Sequence, residues 1–250
     1  MSQWTAKDIS VNSRGLEDFF SRGRVRLSGD PFSPVMVNPE TLARLSEWSE
    51  GSSSSQVLWL EGPHIEADDF ENPVTMMAAK FVDLADRSRV PVMSYFCQLS
   101  RHERLRPGNT REAQAMTALV YALLRQMVEL LLPRLETNVD MSETRFQRLD
   151  GTAGTWEDAL LVFSDLLGLM PDAVLCVLDG FQWLDDRSTN KYLKGLLQVL
   201  RGDKLKVLFT TTGRSACLRQ AISSSETLVV ETLQPRSLAE GLDRQESWKA

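Results

Sequence analysis

Apolar residues along this chain fall into two patterns that take turns. Short, mostly continuous apolar runs occur at Val57 to Leu60, Val90 to Cys97, Ala173 to Leu178, Leu205 to Phe209 and Thr227 to Thr232, and these read as strands. Between them lie helical stripes. Leu42, Leu45 and Trp48 mark a short helix from Thr41 to Trp48, and a second runs near Val74 to Asp86. Asn109 with Glu112 resembles a capping box and opens a long helix. Its Met116, Leu119, Val120, Leu123, Met127 and Leu130 share one face, and Pro133 closes it. Thr155-Trp156-Glu157-Asp158 caps another, with Trp156, Leu160, Phe163, Leu167 and Met170 on its apolar side and Pro171 at its end. Helices from Asn190 to Leu200 and from Arg214 to Ile222 complete the series. Strands that lack polar alternation and are separated by helices belong to a parallel sheet covered on both faces. The predicted fold is α/β, a three-layer sandwich of helices around a parallel sheet.

The flanks read differently. Residues 1–38 are largely polar and read as a loosely ordered leader, with Phe19, Phe20, Val25 and Leu27 available to pack on the core. Gly51-Ser52-Ser53-Ser54-Ser55 is a flexible linker into the first strand, 39–233 is the globular domain, and 234–250 is a polar tail. No internal repeat is evident. The chain has 250 residues, 42% of them hydrophobic and 25% charged, with a net charge of -6 and a pI near 5.1. That balance argues against nucleic acid as the main partner. Cys97, Cys176 and Cys217 are widely spaced and read as buried, reduced thiols. With His64 and His102 the only histidines, neither a zinc site nor a Ser-His or Cys-His nucleophile is expected. The longest apolar-rich stretch, Ala113 to Leu132, holds Arg125, Gln126 and Glu129 and reads as a buried helix rather than a membrane span. The N-terminus shows no apolar signal segment, and a cytoplasmic location is expected.

The strand ends carry the candidate chemistry. Val57-Leu58-Trp59-Leu60 runs into Glu61-Gly62-Pro63, where a phosphate-binding loop would begin. Ala173 to Leu178 ends in Asp179, as a magnesium-holding strand does, and Leu205 to Phe209 ends in Thr210-Thr211-Thr212-Gly213-Arg214. The order and spacing are those of a P-loop NTPase, yet no G-x-x-x-x-G-K-[ST] occurs. Between Val57 and Ala79 there is no Lys or Arg, while Glu61, Glu66, Asp68, Asp69 and Glu71 are acidic. One carboxylate about 4 Å from a phosphate charge costs roughly 1 kcal/mol in bulk water and about 4 kcal/mol at intermediate dielectric. Two or three such neighbours weaken binding about a hundredfold or more. Thr75 is placed to cap the following helix. Gln182 and Trp183 stand where a water-activating carboxylate is often found, and Asp185 and Asp186 are placed to cap the next helix. Arg214 either faces a terminal phosphate or pairs with Asp179 or Asp185. The vestigial cofactor-binding candidates are thus Gly62, Asp179, Thr211 and Arg214. Asp179 is the candidate metal ligand, and no residue is assigned a catalytic role.

The chain resembles the fungal STAND-type P-loop proteins, especially the NACHT and nephrocystin-like N-terminal NTPase domains, over roughly residues 39–233. The resemblance rests on Leu45-Ser46-Glu47-Trp48-Ser49 leading to Val57 through Pro63, on Ser94-Tyr95-Phe96-Cys97, and on Ala118 to Leu124. Val177-Leu178-Asp179-Gly180 and Leu208-Phe209-Thr210-Thr211 complete it. It implies a nucleotide-dependent switch joined to effector and sensor regions. Two departures from the family pattern, the missing lysine loop and the Gln182-Trp183 pair, imply an impaired NTPase acting as an interaction or scaffold module with a protein partner. The alternative is an ATP or GTP switch that uses an atypical loop with magnesium. In the first case no cofactor is expected, and in neither is nucleic acid or a membrane.

Overall fold

The computed structural model describes residues 3–27, 38–51, 56–64, 72–99 and 104–230. The chain opens with β1 (Trp4–Thr5) and α1 (Ala6–Asn12), then two 3-10 turns, Arg14–Phe19 and Arg22–Arg24. There follow α2 (Pro39–Ser49), β2 (Val57–Gly62), α3 (Pro73–Arg87), β3 (Val92–Phe96) and α4 (Arg111–Leu130). The second half holds β4 (Glu136–Thr137), α5 (Glu143–Gln147), α6 (Trp156–Leu169), β5 (Val174–Asp179), α7 (Asn190–Leu200), β6 (Leu205–Thr212), α8 (Ala216–Ala221) and β7 (Thr227–Val229).

Five strands form one sheet in the order β3-β5-β6-β2-β7, and every pairing in it is parallel. Side chains alternate between its faces, as the strand pleat requires. Val57, Trp59, Cys176, Leu178, Val207 and Phe209 enter one core with α4, α6, α7 and α8. Leu58, Leu60, Leu175, Val177 and Leu208 enter the other with α2 and α3. Both faces are dry, which explains why the strand runs lack polar alternation, and the three-layer α/β sandwich predicted from them is what forms.

Element ends moved by a residue or two for local reasons. The strand expected from Val90 starts at Val92, because Arg89 takes a left-handed φ of 57° and Pro91 follows. Thr110, not Asn109, caps α4 by accepting from the Ala113 amide, while Asn109 Nδ2 donates to the Gly151 carbonyl. Thr155 precedes α6 without a side-chain cap; its hydroxyl donates to Asp150 at 3.0 Å. Residues 231–232 of the last predicted strand, the 234–250 tail and the linker serines 52–55 lie outside the described residues.

Sequence reading expects loose order before residue 38; residues 3–27 instead have regular structure and a buried face. The Thr5 hydroxyl and Asp8 form a capping box on α1, β1 pairs antiparallel with β4, and Ile9 and Leu16 are buried. Phe19 packs edge-on against Tyr121, with the Arg106 guanidinium 3.9 Å from its ring centroid. Gly151 makes room for it, since a Cβ there would lie 2.2 Å from the Phe19 ring. Arg125 of α4 is buried and fixes the segment from below, with Nε 2.9 Å from Glu17 and Nη1 2.7 Å from the Ser13 hydroxyl. Such a pattern is not periodic, so hydropathy alone does not reveal it. Residues 28–37 lie outside the described set.

The three cysteines are free and buried. Among the described residues, no helix is long and apolar enough to cross a membrane.

Candidate functional site at the strand C-termini

The C-terminal ends of parallel strands leave a crevice in which α/β sheets hold ligands. Here β2, β5 and β6 meet the N-terminus of α3. Asn72 caps that helix, accepting from the Thr75 amide at 2.8 Å, and Pro73 takes the first helical position, where its missing N–H is harmless. Thr75, predicted as the cap, therefore lies one turn inside, and its hydroxyl has another task. It donates to Asp179 Oδ2 at 2.7 Å. Thr210 donates to Asp179 Oδ1 at 2.5 Å. In P-loop NTPases the loop's Ser or Thr and the acid at the end of a neighbouring strand hold magnesium together. Thr75 and Asp179 hold comparable places here, one in the first turn of α3 and the other at the end of β5.

Asp179 is fully buried. Burial pushes its carboxyl up from the usual 3.8 to about 6, against the opposing pull of the Thr210 and Thr75 hydroxyls and the Gly180 amide. The neighbouring Cys97 thiol is pushed up by burial and by the Asp179 charge.

The phosphate half of the arrangement is built differently. In G-K-[ST] the lysine precedes the hydroxyl residue; here that position is Val74, which is 1% exposed. Val74 packs on Gly62 so closely that a Cβ added there would lie 2.5 Å from Val74 Cγ2. An apolar plug thus stands between the strand end and the helix. Val74 brings no cation to this position, while the Thr75 hydroxyl and the Asp179 carboxylate lie 2.7 Å apart beside it. Glu66, Asp68, Asp69 and Glu71 lie outside the described residues.

Other candidates are dispersed. Thr211 is buried; its hydroxyl accepts from Trp59 Nε1 at 3.0 Å and donates to the Gly213 carbonyl at 2.8 Å. Arg214 pairs with neither Asp179 nor Asp185. It is 78% exposed, and Glu61 lies 4.0 Å away. Together with Gly62, Pro63, His64 and the end of β7, these two charges border a cleft of about 570 Å³. Gln182 donates to the Thr212 hydroxyl at 2.8 Å, and its buried Oε1 has no hydrogen-bond partner among the described residues. Asp185 does cap a helix, though not the next one. It accepts from the Ser215 hydroxyl and the Cys217 amide, both at 2.8 Å, and so starts α8. Asp186 accepts from Ser188 N and Oγ in the turn before α7. Among the described residues no group of three or more His, Cys, Asp and Glu side chains is placed to hold a metal.

No protein-family model matches the chain, and no curated protein matches it. Two solved structures are similar to it: Drosophila ORC bound to poly(dA/dT) DNA and Cdc6, and Drosophila ORC bound to GC-rich DNA and Cdc6. Identity is 14% in both, with TM-scores of 0.37 and 0.40. The match covers 95% of this chain and 33% and 34% of those chains, so the chain spans about a third of their length. Likeness this remote carries no conclusion about ligands or partners. The geometry itself gives an all-parallel five-stranded sheet with a hydroxyl–carboxylate pair between α3 and β5 at its C-terminal edge.

Proposed function

We propose that this protein is a catalytically impaired P-loop NTPase-like module that works through protein partners, of the STAND type with a NACHT-like core, in fungal signalling or defence. The reading also takes the protein as cytoplasmic. The observation that carries it is Val74, buried on Gly62 where the phosphate-binding lysine belongs. Removing a cation and filling its space with an apolar side chain abolishes both the charge and the room that phosphates need. The Gln182-Trp183 pair adds a second defect, since neither side chain supplies a carboxylate to orient an attacking water. One observation supports the alternative of a nucleotide switch: the Thr75 hydroxyl and the Asp179 carboxylate stand 2.7 Å apart, where a magnesium-holding pair would have to be.

A gain-of-function graft tests the proposal. Replacing Glu61 to Thr75 with a glycine-rich lysine loop ending in Thr supplies backbone donors and a positive charge. Fluorescent ATP should then bind where the native chain binds none. Turnover should still require Gln182→Asp and Trp183→Glu, because phosphoryl transfer needs positioning as well as charge stabilisation. Rapid hydrolysis by the loop graft alone contradicts the second defect.

A further inference from the structure

In the sheet order β6 separates β5, which carries Asp179, from β2 and β7, and the cleft of about 570 Å³ opens on the β2–β7 side. Its volume is in the range of small-ligand sites, and it lies where α/β sheets hold ligands. Pro63, Val229 and Val230 give it apolar walls, and Val229 is 67% exposed. Two opposite charges complete the lining. The backbone fixes both: the Glu61 carbonyl accepts from the Val230 amide at 2.8 Å, and the Gly213 amide, just before Arg214, donates to the Gly62 carbonyl at 2.9 Å. The Glu61 side chain is only 15% exposed, while that of Arg214 is 78% exposed. Glu61 Oε1 and Arg214 Nε stand 4.0 Å apart, beyond hydrogen-bond reach. Neither side chain makes a hydrogen bond among the described residues. A carboxylate this far out of water ordinarily has a donor, and here the protein supplies none at bonding distance.

We propose that this cleft binds a free α-amino acid with an apolar side chain. Charge decides the class. Arg214 is the only Lys or Arg among the described lining residues, so a polyanion meets one attractive and one repulsive group. A simple cation meets the same opposition with the signs reversed. A neutral apolar molecule covers both charges and pairs neither, which is unfavourable. An α-amino acid pairs both at once. Its ammonium donates to the Glu61 carboxylate, and its own carboxylate accepts from the Arg214 guanidinium, each a charge-assisted hydrogen bond. The ammonium nitrogen and the carboxylate carbon of an amino acid are about 2.5 Å apart by covalent geometry. That short span suits two protein groups separated by 4.0 Å, with one contact to each. The ligand's side chain is then left to the walls formed by Pro63, Val229 and Val230. This binding goes beyond the interaction-module reading and involves no nucleotide.

The test is isothermal titration of the full chain with L-leucine, without nucleotide. Saturable binding with a Kd of about 1 mM or lower is expected. L-leucinamide lacks the carboxylate, N-acetyl-L-leucine lacks the ammonium and glycine lacks the side chain; each should bind about tenfold or more weakly. Arg214→Gln and Glu61→Gln should each weaken leucine binding by about tenfold or more. The pairing also predicts which discrimination each variant loses. Arg214→Gln should bind leucine and leucinamide alike, and Glu61→Gln should bind leucine and N-acetyl-leucine alike, a pattern that a general loosening of the fold does not produce. Arg214→Gln should melt with the native chain, because its side chain is exposed. The proposal is overturned by absence of saturable binding up to about 10 mM leucine. It is equally overturned by equal binding of any of the three analogues to the native chain, by unchanged leucine affinity in either variant, or by ATP binding more tightly than leucine. A failure of leucine to bind removes this ligand and leaves the proposed interaction module standing.

Discussion

Asp179→Asn should make the protein more stable at pH 8 and no more stable at pH 4. The native carboxyl is fully buried and raised from 3.8 to about 6. A carboxyl raised on folding leaves stability intact below the unfolded value. It then destabilises progressively as pH climbs from 3.8 to about 6, and by a constant amount above that. The shift of about two units corresponds to about 3 kcal/mol. Asparagine removes the charge and keeps the shape. The Thr75 and Thr210 hydroxyls now donate to Oδ2 and Oδ1; one of them must turn and accept from the new amide, at a cost of about 1 kcal/mol. The net gain at pH 8 is about 2 kcal/mol, or roughly 5 °C in melting temperature for a chain of this size. At pH 4 only the poorer hydrogen bond remains, and the variant should be equal or slightly less stable. Thermal melts of both proteins at the two pH values decide it. If the difference between them does not change with pH, the desolvation argument for Asp179 is wrong.

The clamp on the N-terminal segment is open to a similar check. Arg125→Leu removes the buried partner of Glu17 and Ser13 and should cost about 2 kcal/mol or more in urea unfolding, less than a fully buried pair because Glu17 is 36% exposed. A loss below about 0.5 kcal/mol, the scale of an ordinary surface substitution, counts against the clamp. Gly180→Ala should cost at least about 2 kcal/mol, because φ is +70° there and the new Cβ would lie 2.5 Å from the Cys97 carbonyl. An Ala variant that melts with the native protein contradicts that geometry.

Sequence made the sheet legible because its signal is repetitive. Both faces of β2, β5 and β6 are buried, so each strand appears as a run, and the helices between them repeat an apolar stripe. The N-terminal segment escaped because its order comes from single long-range contacts. Arg125 with Glu17, and Phe19 with Tyr121, join residues about a hundred apart, and no local pattern encodes them. That Asp179 ends a buried strand was legible from the apolar run before it. The use of Thr75 was not, because the loop before α3 is longer than G-x-x-x-x-G-K-[ST] allows and spacing no longer locates the hydroxyl. Arg214 shows the reverse. Its position after β6 left two roles open, facing a terminal phosphate or pairing with Asp179 or Asp185; the pairing does not form, because Thr210 and Thr75 already satisfy Asp179 and Asp185 is committed to α8.

The most direct test of the account is a thermal-shift titration of the native full chain with Mg-ATP and with Mg-GTP. A ligand that binds only the folded state stabilises by RT ln(1 + [L]/Kd), about 2.7 kcal/mol at a hundredfold excess over Kd. With Val74 closing the phosphate side, neither nucleotide should move the melting temperature up to about 1 mM, the range of a Kd near 4 kcal/mol. A rise that saturates at micromolar nucleotide and disappears in Asp179→Asn would contradict the account and show a working nucleotide site.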